Sequence, residues 1–248
     1  MTTLIFDIET NGFLEEMDRI HCIVIRNPET AYKVSCVGHL RRGEEDLENG
    51  WMAVEDGLDM LMKADTLVGH NIIAFDIPAV QKLYPWFKPK ARLIDTMVLA
   101  RLFWPDIKFN DDRHREYDKG FNLPPKRRGS YSLEAFGYRL GLLKDEYDGG
   151  WENWTETMQS YCEKDVAVTE ALYKKALVRW GNVPTWMSGE DVRLPSNYVP
   201  YSDECVELEH RVQEIISRQV RYGFAFDERA AVDLYICLLY TSPSPRDS

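Results

Sequence analysis

The sequence predicts an α/β domain built on a mixed sheet, followed by a linker and the start of a second, helical unit. Short runs rich in Ile and Val, separated by turn-like residues, come first and are typical of β-strands. Segments with helical periodicity then alternate with further strand-like runs, which favours helices packed against a sheet. Residues 182–200 contain three prolines and precede another long amphipathic pattern, which indicates a linker between two units.

The composition describes a chain that can build a core and that carries a strong acidic excess. The 248 residues are 44% hydrophobic and have a formal net charge of -11. This charge argues against a protein held on duplex DNA mainly by neutralisation of phosphates. It is compatible with an acidic enzyme site that binds nucleic-acid phosphate through metal ions.

Targeting and cysteine signals favour a cytoplasmic protein with no membrane partner. No apolar stretch approaches the length of a membrane span, and the N-terminus lacks a basic region followed by an apolar one. The five cysteines form no Cys-x-x-Cys pair, so we expect free thiols in a reducing compartment.

The first half of the chain contains the predicted strands. They cover residues 4–7, 21–26, 32–38 and 66–69. Helical spacing predicts helices over residues 54–64, 75–84 and 96–103, with Asp95 as the N-cap of the last one. Residues 105–129 lack periodicity and end in a proline-rich basic run, which indicates an exposed loop.

The second half is predicted to be mainly helical. Ser132 is the expected cap of a helix that stops near Gly141. Residues 156–180 have the longest helical pattern, residues 203–221 have the second, and a further helix begins near Asp227. The tryptophans near helix and linker boundaries are interpreted as packing residues rather than as a platform for stacking bases. They are Trp151, Trp154, Trp180 and Trp186.

Two carboxylates lie close together near the N-terminus. Asp7 and Glu9 are two residues apart at the end of an apolar strand, so they point to the same side of it. Adjacent anions repel unless a cation lies between them, which makes a divalent-metal site the first hypothesis. The alternative is a solvated strand edge or the cap of the next element.

Two later segments supply further acidic groups. Asp76 is expected in the first turn of a helix, where it could equally complement the helix N-terminus. Tyr161 and Asp165 are four residues apart on one helix face, and that face is otherwise mostly apolar. A carboxylate in such a stripe needs a cation or hydrogen-bond donors. The alternative partner is Lys164 or another basic side chain.

The order of these elements resembles a nuclease superfamily. Asp7-Ile8-Glu9 on a first strand, Asp76 after the Gly69-His70-Asn71 turn, and Tyr161 with Asp165 on a late helix are similar to the motifs of the DEDDy 3′–5′ exonucleases. Several longer segments resemble the proofreading domain of the family A DNA polymerases of T-seven-like phages, and the last of them leads into the polymerase thumb in that family. These segments are residues 20–25, 94–99, 129–141, 209–211 and 219–227.

The resemblance implies a fold, an activity and a cofactor. The fold would be a ribonuclease H-like mixed sheet of five strands flanked by helices. The activity would be metal-dependent removal of nucleotides from the 3′ end of single-stranded DNA with two Mg²⁺ or Mn²⁺ ions. Asp7 would bridge both ions, Glu9 and Asp165 would hold the ion that activates water, and Asp76 would support the second. Tyr161 would orient the water.

Several other residues are candidates for contacting the substrate. Thr10 and Phe13 follow the first motif, where the family contacts the terminal nucleotide, and Phe13 could equally be a core residue. Asn71 could contact substrate or bond its own turn. The basic run Lys126, Arg127 and Arg128 could follow a single-strand backbone, or it could be a solvated loop. His70 is interpreted as a hydrogen-bonded structural residue.

The expected organisation has four parts. Residues 1–187 would form the exonuclease domain, 188–202 the linker, and 203–236 the start of a polymerase thumb. Residues 237–248 resemble a translated sequencing adapter, so the natural protein is expected to continue beyond residue 236 into a polymerase domain. Such a protein would work in the cytoplasm of an infected bacterial host. The sequence does not identify a processivity partner.

Two alternatives remain open from the sequence. One is a free-standing DEDDy exonuclease that acts on DNA or RNA. The other is a catalytically silent module that only binds DNA or acts as a scaffold for a polymerase.

Overall fold

A computed structural model describes residues 1–117, 123–142, 147–184, 187 and 199–241 of the chain. The chain divides into two units, Met1–Glu214 and Ile215–Ser248. The first unit contains every strand found in the described residues, and it contains the candidate site residues. The second contains the end of one long helix and a further helix.

The first unit is built on a mixed sheet of seven strands in the order β4-β5-β3-β2-β1-β6-β7. Central strand β1 runs antiparallel to β2 and parallel to β6. The predicted α/β class is confirmed. The five strands implied by the resemblance are fewer than the seven observed. The residue pattern predicts four strands, and it misses β4, β5 and β7, which have two, three and four residues and are too short for a visible alternation. The strands are β1 Thr3–Thr10, β2 Ile20–Arg26, β3 Lys33–Val37, β4 Glu45–Asp46, β5 Trp51–Ala53, β6 Thr66–Gly69 and β7 Arg92–Asp95.

The helices follow the predicted order, and most boundaries agree within a few residues. Asp95 caps α3 by accepting a hydrogen bond from the Met97 N–H at 2.9 Å, and Ser132 caps α5 by accepting one from the Ala135 N–H at 3.3 Å. Gly141, with φ of 68°, follows the end of α5 as predicted. The helices are α1 Val54–Leu61, α2 Asp76–Leu83, α3 Thr96–Phe103, α4 Ile107–Tyr117, α5 Leu133–Arg139, α6 Glu156–Trp180, α7 Asp203–Tyr222 and α8 Glu228–Thr241.

Strand β1 separates two hydrophobic layers. Leu4, Phe6 and Ile8 belong to the layer formed with α1 and α2. Ile5 points the other way, into the layer that contains residues of α3 and α6. Since side chains alternate along a strand, Asp7 and Glu9 continue the side of Ile5 and face α6.

The prediction of an exposed loop over residues 105–129 is wrong for much of this segment. Helix α4 covers Ile107–Tyr117, and a short 3₁₀ turn covers Pro125–Arg127. Helix α4 is held by a buried ion pair, in which Arg139 donates two hydrogen bonds to Asp111 at 2.9 and 2.8 Å. Helix α4 contains only three apolar or aromatic residues, Ile107, Phe109 and Tyr117, so it has no continuous apolar stripe by which its periodicity could be recognised.

The remaining predictions concern the C-terminal part of the chain. Most of the proposed linker lies outside the described residues, so the domain boundaries stay predictions. Helix α8 begins near the predicted Asp227, which accepts a hydrogen bond from the Ala230 N–H at 2.9 Å. The helix includes residues 237–241 of the adapter-like segment, and residues 242–248 lie outside the described part. No helix in the described ranges has the length and apolar character needed to cross a membrane.

Candidate active site

The first two carboxylates lie on the middle of the sheet. Asp7 is opposite Val24 and Glu9 is opposite Cys22 on the neighbouring strand β2. Glu9 is buried, and Asp7 is half-buried. The register shifts after Glu9, which ends the regular pairing of β1 directly beyond the carboxylates.

Helix α6 brings a thiol against this pair. One ligand atom from each of Asp7, Glu9 and Cys162 lies within 4.8 Å of the others. The Cys162 Sγ donates to the Asp7 carbonyl oxygen at 3.5 Å and lies 3.7 Å from Asp7 Oδ2. Burial, and then the neighbouring Cys22, raise the pKa of the Cys162 thiol well above its usual range. We therefore assign Cys162 as a neutral donor to Asp7 rather than as a thiolate ligand.

Asp76 reaches the same region from α2, the helix that follows β6, and β6 pairs with β1 on the edge opposite to β2. It is the first residue of α2 and is buried, and the Ile8 N–H of β1 and its own backbone N–H donate to its carboxylate. Burial, followed by the negative charges of Asp95 and Asp165, raises the pKa of Asp76 to about 8. Its Oδ1 is buried and has no hydrogen-bond partner among the described residues. A bound cation would satisfy this oxygen and offset the burial of its charge.

Tyr161 and Asp165 complete the set from α6. Asp165 is buried and close enough to Asp76 for its charge to raise the Asp76 pKa. Tyr161 is half-buried, and its ring contacts those of Tyr147 and Trp151. The structure thus brings the three sequence elements to one region. Within the described part of the chain, the group of ligand atoms closer than 4.8 Å contains neither Asp76 nor Asp165.

Polar contacts fix the register of α6 on the sheet. Glu163 accepts hydrogen bonds from the Ser35 hydroxyl and the Lys33 ammonium on β3, both at 2.7 Å. Two turns further along, Glu170 forms an ion pair with Arg26 of β2 at 2.6 Å. Because these contacts lie on both sides of Asp165, they hold its position along the helix axis relative to β1.

The turn that leads to Asp76 is held by Asp95. Asn71 has a φ of 67°, a left-handed conformation that costs free energy for a residue other than glycine. Asp95 stabilises this turn, because its carboxylate accepts hydrogen bonds from the N–H groups of Asn71 at 2.9 Å and Ile73 at 3.2 Å. The predicted cap of α3 is therefore also the support of the Asp76 turn. Sequence reasoning missed this second role, since the residues are more than 20 positions apart.

Two histidines support the same region. The Nδ1 of His70 lies 2.9 Å from Thr96 Oγ1, and its Nε2 lies 2.9 Å from the Tyr131 carbonyl oxygen, which confirms its structural role. His210 of α7 accepts a hydrogen bond from the Asp95 N–H at its Nε2 and lies 2.8 Å from the Val206 carbonyl oxygen through Nδ1. Burial lowers the pKa of His210, which keeps the imidazole neutral. No sequence pattern predicts the hydrogen bond between Asp95 and His210, which are 115 positions apart.

Replacing Asp95 by alanine is expected to destabilise the protein and impair the site. The change leaves the N–H groups of Asn71, Ile73 and Met97 without their acceptor, and each costs about 1–3 kcal/mol when buried. Urea unfolding followed by circular dichroism measures the loss. Asp95→Asn is the matched control, because an amide oxygen in the place of Oδ1 keeps the bonds to Asn71 and Met97. Equal stability of the two variants would contradict this role.

The predicted substrate contacts near β1 differ in their surroundings. Phe13 is 77% exposed, so the core alternative for this residue is wrong. Thr10 is buried and its hydroxyl donates to the Gly12 carbonyl oxygen at 2.8 Å. Asn71 donates its backbone N–H to Asp95, and its side chain is half-buried. Of the three, Phe13 presents the largest accessible surface.

The basic run is largely engaged in ion pairs. Arg127 Nε donates to Glu134 at 2.9 Å. Arg128 is 3.7 Å from Asp112 and its side chain is only 18% exposed. Lys126 is exposed. The role of these residues in following a nucleic-acid backbone stays a prediction, with Lys126 as its most accessible member.

Comparison with curated proteins identifies two viral relatives. The chain is 34% identical over 257 aligned positions to the DNA-directed DNA polymerase of Escherichia phage T7 and, equally, to that of Enterobacteria phage T3. Each alignment covers 94% of this chain and 34% of the relative, so the chain spans about a third of the length of these polymerases. No family model matches the chain.

Comparison with solved structures shows the fold. A structure described as the apo form of a nuclease has a TM-score of 0.50 and 15% identity, and the alignment covers 91% of this chain and 89% of that one. NrnC of Brucella melitensis with bound Mg²⁺ has a TM-score of 0.49 and 14% identity, and the alignment covers 91% of this chain and 90% of that one. The first of these likenesses shows that the chain shares the fold of that nuclease, and the α/β fold class expected from the sequence is confirmed.

Proposed function

We propose that this chain, which is related to the DNA polymerases of T7-like phages over almost its whole length, is the 3′–5′ exonuclease that proofreads for such a polymerase. The observation that carries the proposal is that Asp76 of α2 accepts a hydrogen bond from the Ile8 N–H, between Asp7 and Glu9 on β1, and is close enough to Asp165 of α6 to be affected by its charge. Identity to the phage polymerases supports the nuclease class, and the acidic site supports hydrolysis.

The donor set fits a pair of hard divalent cations. The carboxylates of Asp7, Glu9, Asp76 and Asp165 would hold Mg²⁺ or Mn²⁺, which prefer oxygen ligands. The buried Asp76 Oδ1 without a partner in the described structure supports this assignment. When bound, two such ions would stabilise the attacking and leaving oxygens of phosphodiester hydrolysis.

The chain's own residues would orient the reactants. Tyr161 would bind the nucleophilic water through its phenol, which can both donate and accept a hydrogen bond. Cys162 donates to the Asp7 carbonyl and would restrict the movement of β1 relative to α6. Asp95 would keep the turn before Asp76 in position through its bonds to Asn71 and Ile73.

The setting we propose follows the relatives. The substrate would be the 3′ end of single-stranded DNA, with Thr10, Phe13, Asn71 and Lys126 to Arg128 as candidate contacts. Residues 203–236 would begin a polymerase thumb, and a polymerase domain would follow in the complete protein. The enzyme would act in the cytoplasm of an infected bacterium.

The activity is tested with a 5′-labelled single strand of DNA and of RNA, incubated with Mg²⁺ or Mn²⁺ and resolved on a gel. We expect a ladder that shortens from the 3′ end on DNA, no cleavage in EDTA, and no cleavage by Asp7→Ala. Ser160→Ala on the exposed side of α6 is the control and should cleave at the wild-type rate. Tight binding without a ladder would support the silent module, and preference for RNA would support the free-standing nuclease.

A further inference from the structure

A cluster of aromatic side chains surrounds Tyr161. The ring centroids of Tyr147 and Trp151 are 4.9 Å apart, and the Tyr161 ring lies 5.6 Å from Tyr147 and 6.3 Å from Trp151. The Trp151 side chain is nevertheless 42% exposed. The packing role predicted for Trp151 is therefore incomplete, since a large part of its surface faces solvent.

The other described tryptophans of this region differ from Trp151. Trp154 is half-buried, packs edge-on against Trp51 at 5.2 Å, and donates its Nε1–H to Gln159 at 3.4 Å. Trp180 is 4% exposed in the layer between α6 and the sheet. Both fit the predicted packing role, and a packing role alone does not account for the exposed surface of Trp151.

The position of Trp151 is fixed by polar contacts. His21 Nε2 lies 2.9 Å from the Trp151 carbonyl oxygen, which joins this loop to β2 beside Cys22, the partner of Glu9. The Tyr147 hydroxyl donates to the Gly150 carbonyl oxygen at 2.9 Å. A tryptophan held in this way loses little conformational entropy when a ligand binds to it, which favours a rigid contact surface.

We propose that Trp151 is a stacking surface for a nucleobase in the last two nucleotides of the substrate strand, with Tyr147 supporting its ring. This inference rests on the proposed exonuclease function and adds a substrate contact to it. The scissile phosphate would lie at the carboxylates, and the Trp151 ring lies 6.3 Å from that of Tyr161, the residue proposed to bind the attacking water. Aromatic rings bind bases of any sequence, which suits an enzyme that removes every nucleotide in turn.

The test combines a protein change with a substrate change. Trp151→Ala and Trp151→Phe are compared with wild type on an ordinary oligonucleotide and on one whose last two sugars lack bases. Stacking on one aromatic side chain changes affinity by about tenfold or more. We expect Trp151→Ala to raise KM about tenfold on the ordinary strand with kcat within about twofold, and to have little effect on the abasic strand. Trp151→Phe should keep most of the affinity.

Equal effects of Trp151→Ala on both strands would overturn the proposal and indicate a structural role. An unchanged KM on the ordinary strand would also overturn it. Thermal melting of each variant checks that the fold is intact. Where the alanine variant does not fold, Trp151→Leu takes its place, because leucine fills much of the space but offers no aromatic face, and it should show the same difference between the two strands. If wild type does not cleave DNA, the proposed function fails by itself. Fluorescence anisotropy with the two labelled strands in Ca²⁺ then still measures whether the loss at Trp151 depends on the bases.

Discussion

Replacing Asp76 by asparagine is expected to abolish metal-dependent cleavage and at the same time to stabilise the metal-free protein. The amide cannot supply a negative charge to a cation, and loss of such a ligand removes several kcal/mol of transition-state stabilisation, or about a thousandfold in rate. The same change removes a carboxylate whose Oδ1 is buried without a partner among the described residues. Opposite effects on activity and stability are the signature of a site residue.

The pH dependence of this stabilisation follows from the direction of the Asp76 pKa. Burial raises the pKa of Asp76 to about 8 in the folded, metal-free protein, from the ordinary carboxyl pKa of 3.8 in the unfolded chain. Between these values the folded state binds more protons, so stability falls as pH rises through this window. Asparagine does not ionise and removes that fall. The variant should gain on the order of a few kcal/mol over wild type in EDTA above about pH 8, and little near about pH 4.

The measurement is thermal unfolding of both proteins across this pH range, in EDTA and in Mg²⁺. Mg²⁺ should raise the Tm of wild type and should raise that of Asp76→Asn much less. Asp106→Asn, at an exposed aspartate, is the control and should leave activity and stability unchanged. A variant that is less stable than wild type in EDTA at high pH would show that Asp76 is a structural hydrogen-bonding residue.

Breaking the ion pair between Asp111 and Arg139 is expected to destabilise the protein strongly. The two side chains are 3% and 11% exposed, and Asp111 also accepts a hydrogen bond from the Gly129 N–H at 2.9 Å. Asp111→Ala leaves the guanidinium buried without its counter-charge, which costs about 3–5 kcal/mol. The backbone amides of helix α4 and of the turn before Gly129 should lose their protection from hydrogen exchange together, because both segments are attached to this carboxylate.

Urea unfolding of three variants measures this effect. Asp112→Ala is the matched control, since that neighbouring aspartate is 53% exposed and lies 3.7 Å from Arg128, so its loss should cost less than about 1 kcal/mol. The double variant Asp111→Leu, Arg139→Met should recover much of the lost stability, because it removes both charges. If Asp111→Ala and Asp112→Ala cost the same, the buried pair does not anchor α4.

The elements with a strong local pattern could be predicted from the sequence. Strand β1 alternates between two hydrophobic layers, so the common side of Asp7 and Glu9 followed from the spacing alone. Helix α6 has the predicted bounds, with Thr155 as its cap and Gly181 in a left-handed conformation at its end. The spacing of four between Tyr161 and Asp165 therefore places both on one face of a real helix.

Elements held by polar contacts between distant segments escaped prediction. Helix α4 depends on a carboxylate that meets a guanidinium 28 positions away. Strand β5 forms because β3 provides an edge on which it pairs, and β4 forms because it pairs in turn with β5. Cys162 was missed as a neighbour of Asp7, because a thiol in an apolar stripe has no sequence pattern that distinguishes it from a core residue.

By itself the sequence determined the order of the strands and helices along the chain and which acidic residues share a face, because alternation and helical spacing are local properties. It also carried the resemblance that the comparisons bear out. Only the tertiary structure decided which groups meet: that the Ile8 N–H binds Asp76, that Asp95 holds the turn before it, and that His210 reaches Asp95. These hydrogen bonds join residues from 22 to 115 positions apart. Such pairing depends on how sheet and helices pack, which no local pattern encodes.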